Sequence, residues 1–140
     1  MTVTSGFGAY MEDAILAWFQ GTTFPAVPAN QYFALFTTAP INATDGAAVE
    51  VSGTSYVRKS IAPSSSLWAN ASGAAPATSA SAENIVFATP GGSWGTVVGW
   101  GIYDASTSGH LLAYGAFTGV AVGTGDTVEF LNGNLTLSVS

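Results

Sequence analysis

Charge is what this sequence has least of. Arg58 and Lys59 are its only cations, eight residues are acidic, one is histidine, and the net charge over 140 residues is −6. Neutralising a phosphate backbone takes several cations, so an electrostatic nucleic-acid partner is excluded. An anionic membrane surface is disfavoured for the same reason. Cysteine is absent, which removes disulfides, thiolate nucleophiles and cysteine-ligated zinc. A lone histidine, His110, cannot build a histidine metal site. No apolar run reaches the length of a membrane span. Residues 1–6 lack the basic and apolar segments of a secretory signal, so the chain reads as made in a cytoplasm and soluble.

Small neutral residues fill the space that charge leaves. Ala, Gly, Thr and Ser make up 71 of the 140 residues. Hydrophobic residues reach 48%, aromatics 12%, and mean hydropathy is +0.38. That is the reverse of a disordered composition. The length fits a single domain over 1–140 that can bury roughly 70% of its unfolded surface. A surface of Thr, Ser, Gly and Ala loses little on burial, because few charges need desolvation. Such a surface suits a part of a large assembly.

Periodicity divides the chain into an N-terminal arm (1–8), a helix (9–20) and strands (29–140). In the helix, Met11, Ala14, Ile15, Trp18 and Phe19 recur on one face. Glu12 and Asp13 sit in its first turn, Gly21 stops it, and Pro25 and Pro28 prevent its return. A helix this short is marginal alone, so Trp18 and Phe19 are expected to pack on the strands or on a neighbouring subunit. Strands are predicted at 31–38, 49–51, 55–61, 84–88, 95–104 and 110–117. Val98, Trp100 and Ile102 share one face of the long 95–104 strand, opposite Gly99 and Gly101. Residues 126–139 read as a hairpin with a type I′ turn at Asn132-Gly133, placing Leu135, Leu137 and Val139 inward. Seven or eight short strands after one helix predict a mainly β protein. The architecture is an antiparallel β-sandwich (jelly-roll or immunoglobulin-like) or a barrel. Residues 63–83 read as a long loop in which only Leu67 and Trp68 are large. Trp68 either tucks back onto the strands or anchors an interface.

Chemistry is sparse. His110 follows the turn at 104–109 and reads as a turn or strand-edge residue, with Asp104 shaping the turn. Ser93-Trp94-Gly95 lacks the first glycine of a nucleophile elbow in the right place. Glu12 and Asp13 point to different sides of the helix. Gly99-Trp100-Gly101 precedes no helix and is not a phosphate loop. Asp104, Ser106 and Thr107 lack the acidic partners of a calcium loop. The chain is therefore expected to be no enzyme and to carry no metal or cofactor. Arg58 and Lys59, adjacent on a strand, face opposite sides. Either can pair with an acid, within or between subunits, or simply keep a strand edge soluble.

Several motifs together resemble a family of small tailed-bacteriophage proteins, commonly labelled tail-fibre or virion proteins. They are Tyr10-Met11-Glu12-Asp13-Ala14-Ile15-Leu16, Tyr32-Phe33-Ala34-Leu35-Phe36-Thr37-Thr38-Ala39-Pro40 and Glu50-Val51-Ser52-Gly53-Thr54-Ser55-Tyr56-Val57-Arg58. Ser93-Trp94-Gly95-Thr96-Val97, Gly101-Ile102-Tyr103-Asp104-Ala105 and Leu111-Leu112-Ala113-Tyr114-Gly115 complete the set. The resemblance implies a structural part of a phage particle, made in the host cytoplasm, with no catalytic residues. Composition and resemblance together point first to a head decoration (cement) protein on the outer capsid. It would be a homo-oligomer, trimer preferred, that binds the major capsid protein. The alternatives are a tail or tail-fibre component, which includes a host-surface glycan adhesin, and a carbohydrate-binding module using Trp68, Trp94 or Trp100. The interaction candidates are Met1, Thr2, Val3 and Thr4, as an arm adding a strand to a partner's sheet, with Arg58, Lys59, Leu67 and Trp68.

Overall fold

Aromatic and glycine-rich stretches alternate along this chain, and that alternation builds the central sheet. The computed structural model describes residues 4–40, 48–74 and 76–139. Strands β1 (Thr4–Phe7), β2 (Gln31–Phe36), β3 (Lys59–Ile61), β6 (Gly95–Tyr103) and β7 (Leu111–Val122) form a five-stranded sheet in the order β1-β7-β6-β2-β3. Every pairing in it is antiparallel. Across it, Leu35 stands opposite Trp100 and Trp100 opposite Gly115; one step along, Phe33, Ile102 and Ala113 line up. The glycine in the first row is a space requirement. A Cβ on Gly115 would lie 2.4 Å from the indole nitrogen of Trp100, and one on Gly101 would lie 2.7 Å from the Phe36 ring. At these two positions the ring occupies the space that a side chain on the neighbouring strand would take.

Two ribbons cover the Trp100 face. One pairs β5 (Ile85–Val86) with β8 (Glu129–Phe130), the other β4 (Ala77–Ala80) with β9 (Thr136–Val139). Ile85, Phe87, Phe130, Leu135 and Leu67 join Phe33, Leu35, Trp100 and Ile102 in one core. On the sheet's other face Ala34, Phe36, Tyr103 and Leu111 form a second buried cluster. The protein is thus a mainly β, antiparallel sandwich with one helix, α1 (Ala9–Phe19). The outer strands β1 and β3 do not bond to each other, so the sheet is not closed into a barrel.

Several local expectations are corrected. A register shift between Val97 and Gly99 puts Val97, not Val98, in the core beside Trp100 and Ile102. Between the pairs Val97–Val120 and Gly99–Ala116, β7 advances further than β6, and a strict two-residue alternation cannot register such an irregularity. The 126–139 segment is not a hairpin: β8 and β9 lie in separate ribbons. Asn134 N–H still closes a turn onto Leu131 O at 2.9 Å. Only Gly133 takes a positive φ there (83°), the sign pattern of a type II turn, which turns the chain from one ribbon to the other. Residues 63–83 are no open loop. They hold β4, a Trp68–Ser81 bridge, and hydrogen bonds from Ala69 N–H to Ala80 O and Ser72 N–H to Thr78 O. The stretch 49–61 contributes only β3 and a Phe36–Glu50 bridge to the strands.

Candidate interaction surface

The polar side chains that converge do so to hold the fold. Arg58 follows the 50–58 loop and turns its guanidinium inward, leaving its side chain 7% exposed. Its Nε and Nη2 donate to the two carboxylate oxygens of Glu50 at 2.9 and 2.7 Å, a bidentate pair. Nη1 donates to the carbonyls of Ala105 and Ser108, both at 2.8 Å, and the group lies 3.7 Å over the Tyr103 ring. Tyr56 donates its hydroxyl to Glu50 Oε1 and accepts from Leu35 N–H. Burial pushes the Tyr56 hydroxyl far above its usual range, so it stays protonated and keeps donating. Burial alone would lower the Arg58 pKa, but the hydrogen bond to Glu50 and that residue's charge outweigh it and the net shift is upward. One cation thereby ties the 50–58 loop to the β6–β7 connection.

A second cluster fastens the helix. Asp104 accepts from the backbone N–H of His110 at 2.7 Å and pairs with its Nδ1 at 2.9 Å. The imidazole stacks on Tyr10 with centroids 4.0 Å apart. Burial would raise the Asp104 carboxyl, yet the His110 hydrogen bonds and charge hold it below the usual carboxylate range. Gly8 N–H donates to Leu112 O at 2.9 Å, which fixes the helix entry on β7. Asp104 and His110 are thus the turn residues that their spacing predicts.

The sequence-predicted interaction residues scatter. Met1, Thr2 and Val3 lie outside the described residues. Thr4 is not in a free arm: it opens β1 and pairs with Ala116 of β7, so this stretch completes the chain's own sheet. Lys59 sits in edge strand β3 opposite Phe33, where a charge discourages edge-to-edge pairing. Leu67 is fully buried core. Trp68 tucks back, stacked on Phe33 and donating from Nε1 to Gln31 at 2.8 Å. Trp94 and Trp100 are also buried, so neither presents a ring face for a sugar. Among the described residues no cluster of three or more His, Asp or Glu could hold a metal ion.

What the structure exposes instead is the helix. Leu16, Trp18 and Phe19 are 62%, 57% and 76% exposed, so of the two covers expected for the aromatics, the strands or a neighbouring subunit, the strands do not supply one. No residue of α1 is buried. Its main contacts are with β7 and β1, and β1 is only four residues long. So narrow a support covers one flank of an eleven-residue helix that is apolar on more than one side. That surplus, Leu16 and Ala17 beyond the periodic face, was the available signal. Phe24 and Val27, which follow the helix in the chain, are also exposed. Beside the helix, Phe7, Tyr10, Met11, Phe24, Val27 and Leu112 line part of a groove of about 240 Å³.

No curated protein matches this chain. Residues 6–138 match the family model Gp80, described as Podophage GP4 fiber I protein gp80. With nearly the whole chain inside that match, the protein belongs to the Gp80 family of phage virion proteins and is a component of a phage particle.

Proposed function

We propose that this chain is a structural, non-catalytic subunit of a phage tail fibre. The observation that carries this reading is the match of residues 6–138 to a family described as a podophage fibre protein. Its polar groups support it. Glu50, Arg58, Asp104 and His110 are engaged in bonds that hold loops, and Asp126 accepts from Gly123 N–H at 2.7 Å. The exposed apolar helix and the shortage of charge suit burial within an assembly. The same shortage also suits a head decoration protein, but the family description favours the fibre.

Particle localisation separates the two. Antibody labelling of purified virions, with quantitative mass spectrometry, should find the protein at the tail in a handful of copies. Label spread over the shell, with a copy number comparable to the major capsid protein, would overturn the fibre reading in favour of decoration.

A further inference from the structure

We propose that Asn132 is a latent deamidation site, closed while the Asn132-Gly133 turn is docked and open when that turn lifts, whose conversion irreversibly loosens the seam between the two ribbons. This rests on the turn itself and not on the protein's place in the particle. Asn132 is the only asparagine in the chain that is followed by glycine. Without a Cβ, the glycine nitrogen reaches the carboxamide carbon of the preceding side chain with least hindrance. In the reaction the Gly133 nitrogen bonds to Asn132 Cγ and the Cγ–Nδ2 bond breaks. Ammonia leaves, carrying the proton of the Gly133 amide. Water then opens the cyclic imide. Attack at Cγ gives aspartate, and attack at the main-chain carbonyl gives isoaspartate, whose backbone is longer by one carbon.

The docked turn holds both reacting groups off this path. Gly133 N–H donates to Ser81 O at 2.7 Å. Asn132 donates from Nδ2 to Ala82 O and from its backbone N–H to Asn84 Oδ1, both at 2.8 Å. For the ring to close, the nitrogen must release Ser81 and the carboxamide must release Ala82, so the turn undocks first. Residues 131–134 are all exposed, and lifting them draws on the low-cost end of local openings.

The contact so released is structural. Residues 81–84 join β4 to β5 and residues 131–135 join β8 to β9, so each connection carries the chain from one ribbon to the other. Aspartate would set a carboxylate oxygen against Ala82 O, two acceptors without a donor between them. Isoaspartate would carry Gly133 N–H away from Ser81 O. Neither product reverts, because the ammonia is gone.

The test follows one amide in two ways. Peptide mapping by mass spectrometry measures conversion at Asn132 in the full chain, folded and denatured, in the same mildly alkaline buffer. Hydrogen exchange of the Gly133 amide is measured alongside. The exchanging N–H belongs to the nucleophile, so folding should slow both processes by one common factor, at least about tenfold for the two bonds given up. Asn84→Ala removes one acceptor of the docked turn and should speed both by about three- to tenfold in the folded protein, leaving the denatured rates unchanged. Converted chains, separated by their added negative charge, should melt below the wild type, as should Asn132→Asp. Conversion as fast in the folded as in the denatured chain overturns the proposal, and so does a denatured chain that does not convert at Asn132. Exchange protection that fails to match the slowing of conversion, or Asn84→Ala without effect on either, overturns the gate. Converted protein that melts like the wild type overturns the role of the seam. Should Asn84→Ala not fold, the two wild-type measurements still decide.

Discussion

The Trp100 face of the sheet and the outer flank of α1 are built from the same kinds of residue and end in opposite states. Trp100, Phe33 and Leu35 are fully enclosed, whereas Trp18 and Phe19 stand mostly in solvent. Hydrophobicity does not separate them. What stands opposite does: Trp100 meets Gly115 across the sheet and two ribbons above it, while α1 packs mainly on β7 and a four-residue β1. Large aromatics that folding leaves uncovered are available for assembly.

The comparison can be broken at its buried end first. Trp100→Ala empties a fully enclosed site and should cost about 3–5 kcal/mol, read as a lower denaturant midpoint. A loss below about 1 kcal/mol would mean that the core relaxes around the gap. Next comes the Arg58 anchor. Glu50→Gln keeps the volume but leaves an enclosed guanidinium without its counter-charge. The expected loss is about 2–4 kcal/mol, moderated because the Glu50 side chain keeps 26% exposure. Proteolysis should then cut the 104–109 connection faster, since Ala105 and Ser108 lose a well-oriented donor.

A smaller effect belongs to Asp104, whose carboxyl is held low in the folded state. A lowered carboxyl adds stability above its unfolded value, about 4, and that contribution is lost as pH falls through the lower folded value. Asp104→Asn should therefore cost less than about 1 kcal/mol at neutral pH. It should also flatten the acid limb of the stability profile, and unchanged acid sensitivity would remove the pair from the account. The smallest effect sharpens the contrast with Trp100. Trp18→Ala, which would cost about 3–5 kcal/mol for a core residue, should change the dilute monomer by no more than about 0.5 kcal/mol. A large loss there would show that the helix is held more firmly than its exposed flank indicates.

Helix α1 and the antiparallel β character could be read from the chain because both follow from local period and turn residues. The helix bounds, β2 and the long β6 come within a residue or two of their predicted limits. Val97 could not be placed because a bulge depends on strand pairing, not on the alternation itself. Asn132-Gly133 signals a turn reliably, but whether its flanks pair with each other depends on β5 and β4, some fifty residues upstream. Residues 63–83 look structureless because Ala, Ser and Thr carry little pattern. Yet β4 is held by backbone bonds to β9, which any such side chains permit. Arg58 was recognised as the one basic spot with Lys59, but its partners Glu50, Ala105 and Ser108 lie 8, 47 and 50 residues away.

By itself the sequence determined how sparse the chain's chemistry is: two cations, one histidine and no cysteine leave little charge to bind phosphate and few groups to build a site. It also determined that a helix would precede a set of antiparallel strands, since those preferences act over a few neighbouring residues. Only the tertiary structure decided which aromatics are covered. Burial is a property of facing surfaces, and the short β1 beside the long β7 leaves the outer flank of α1, with Trp18 and Phe19, without a cover.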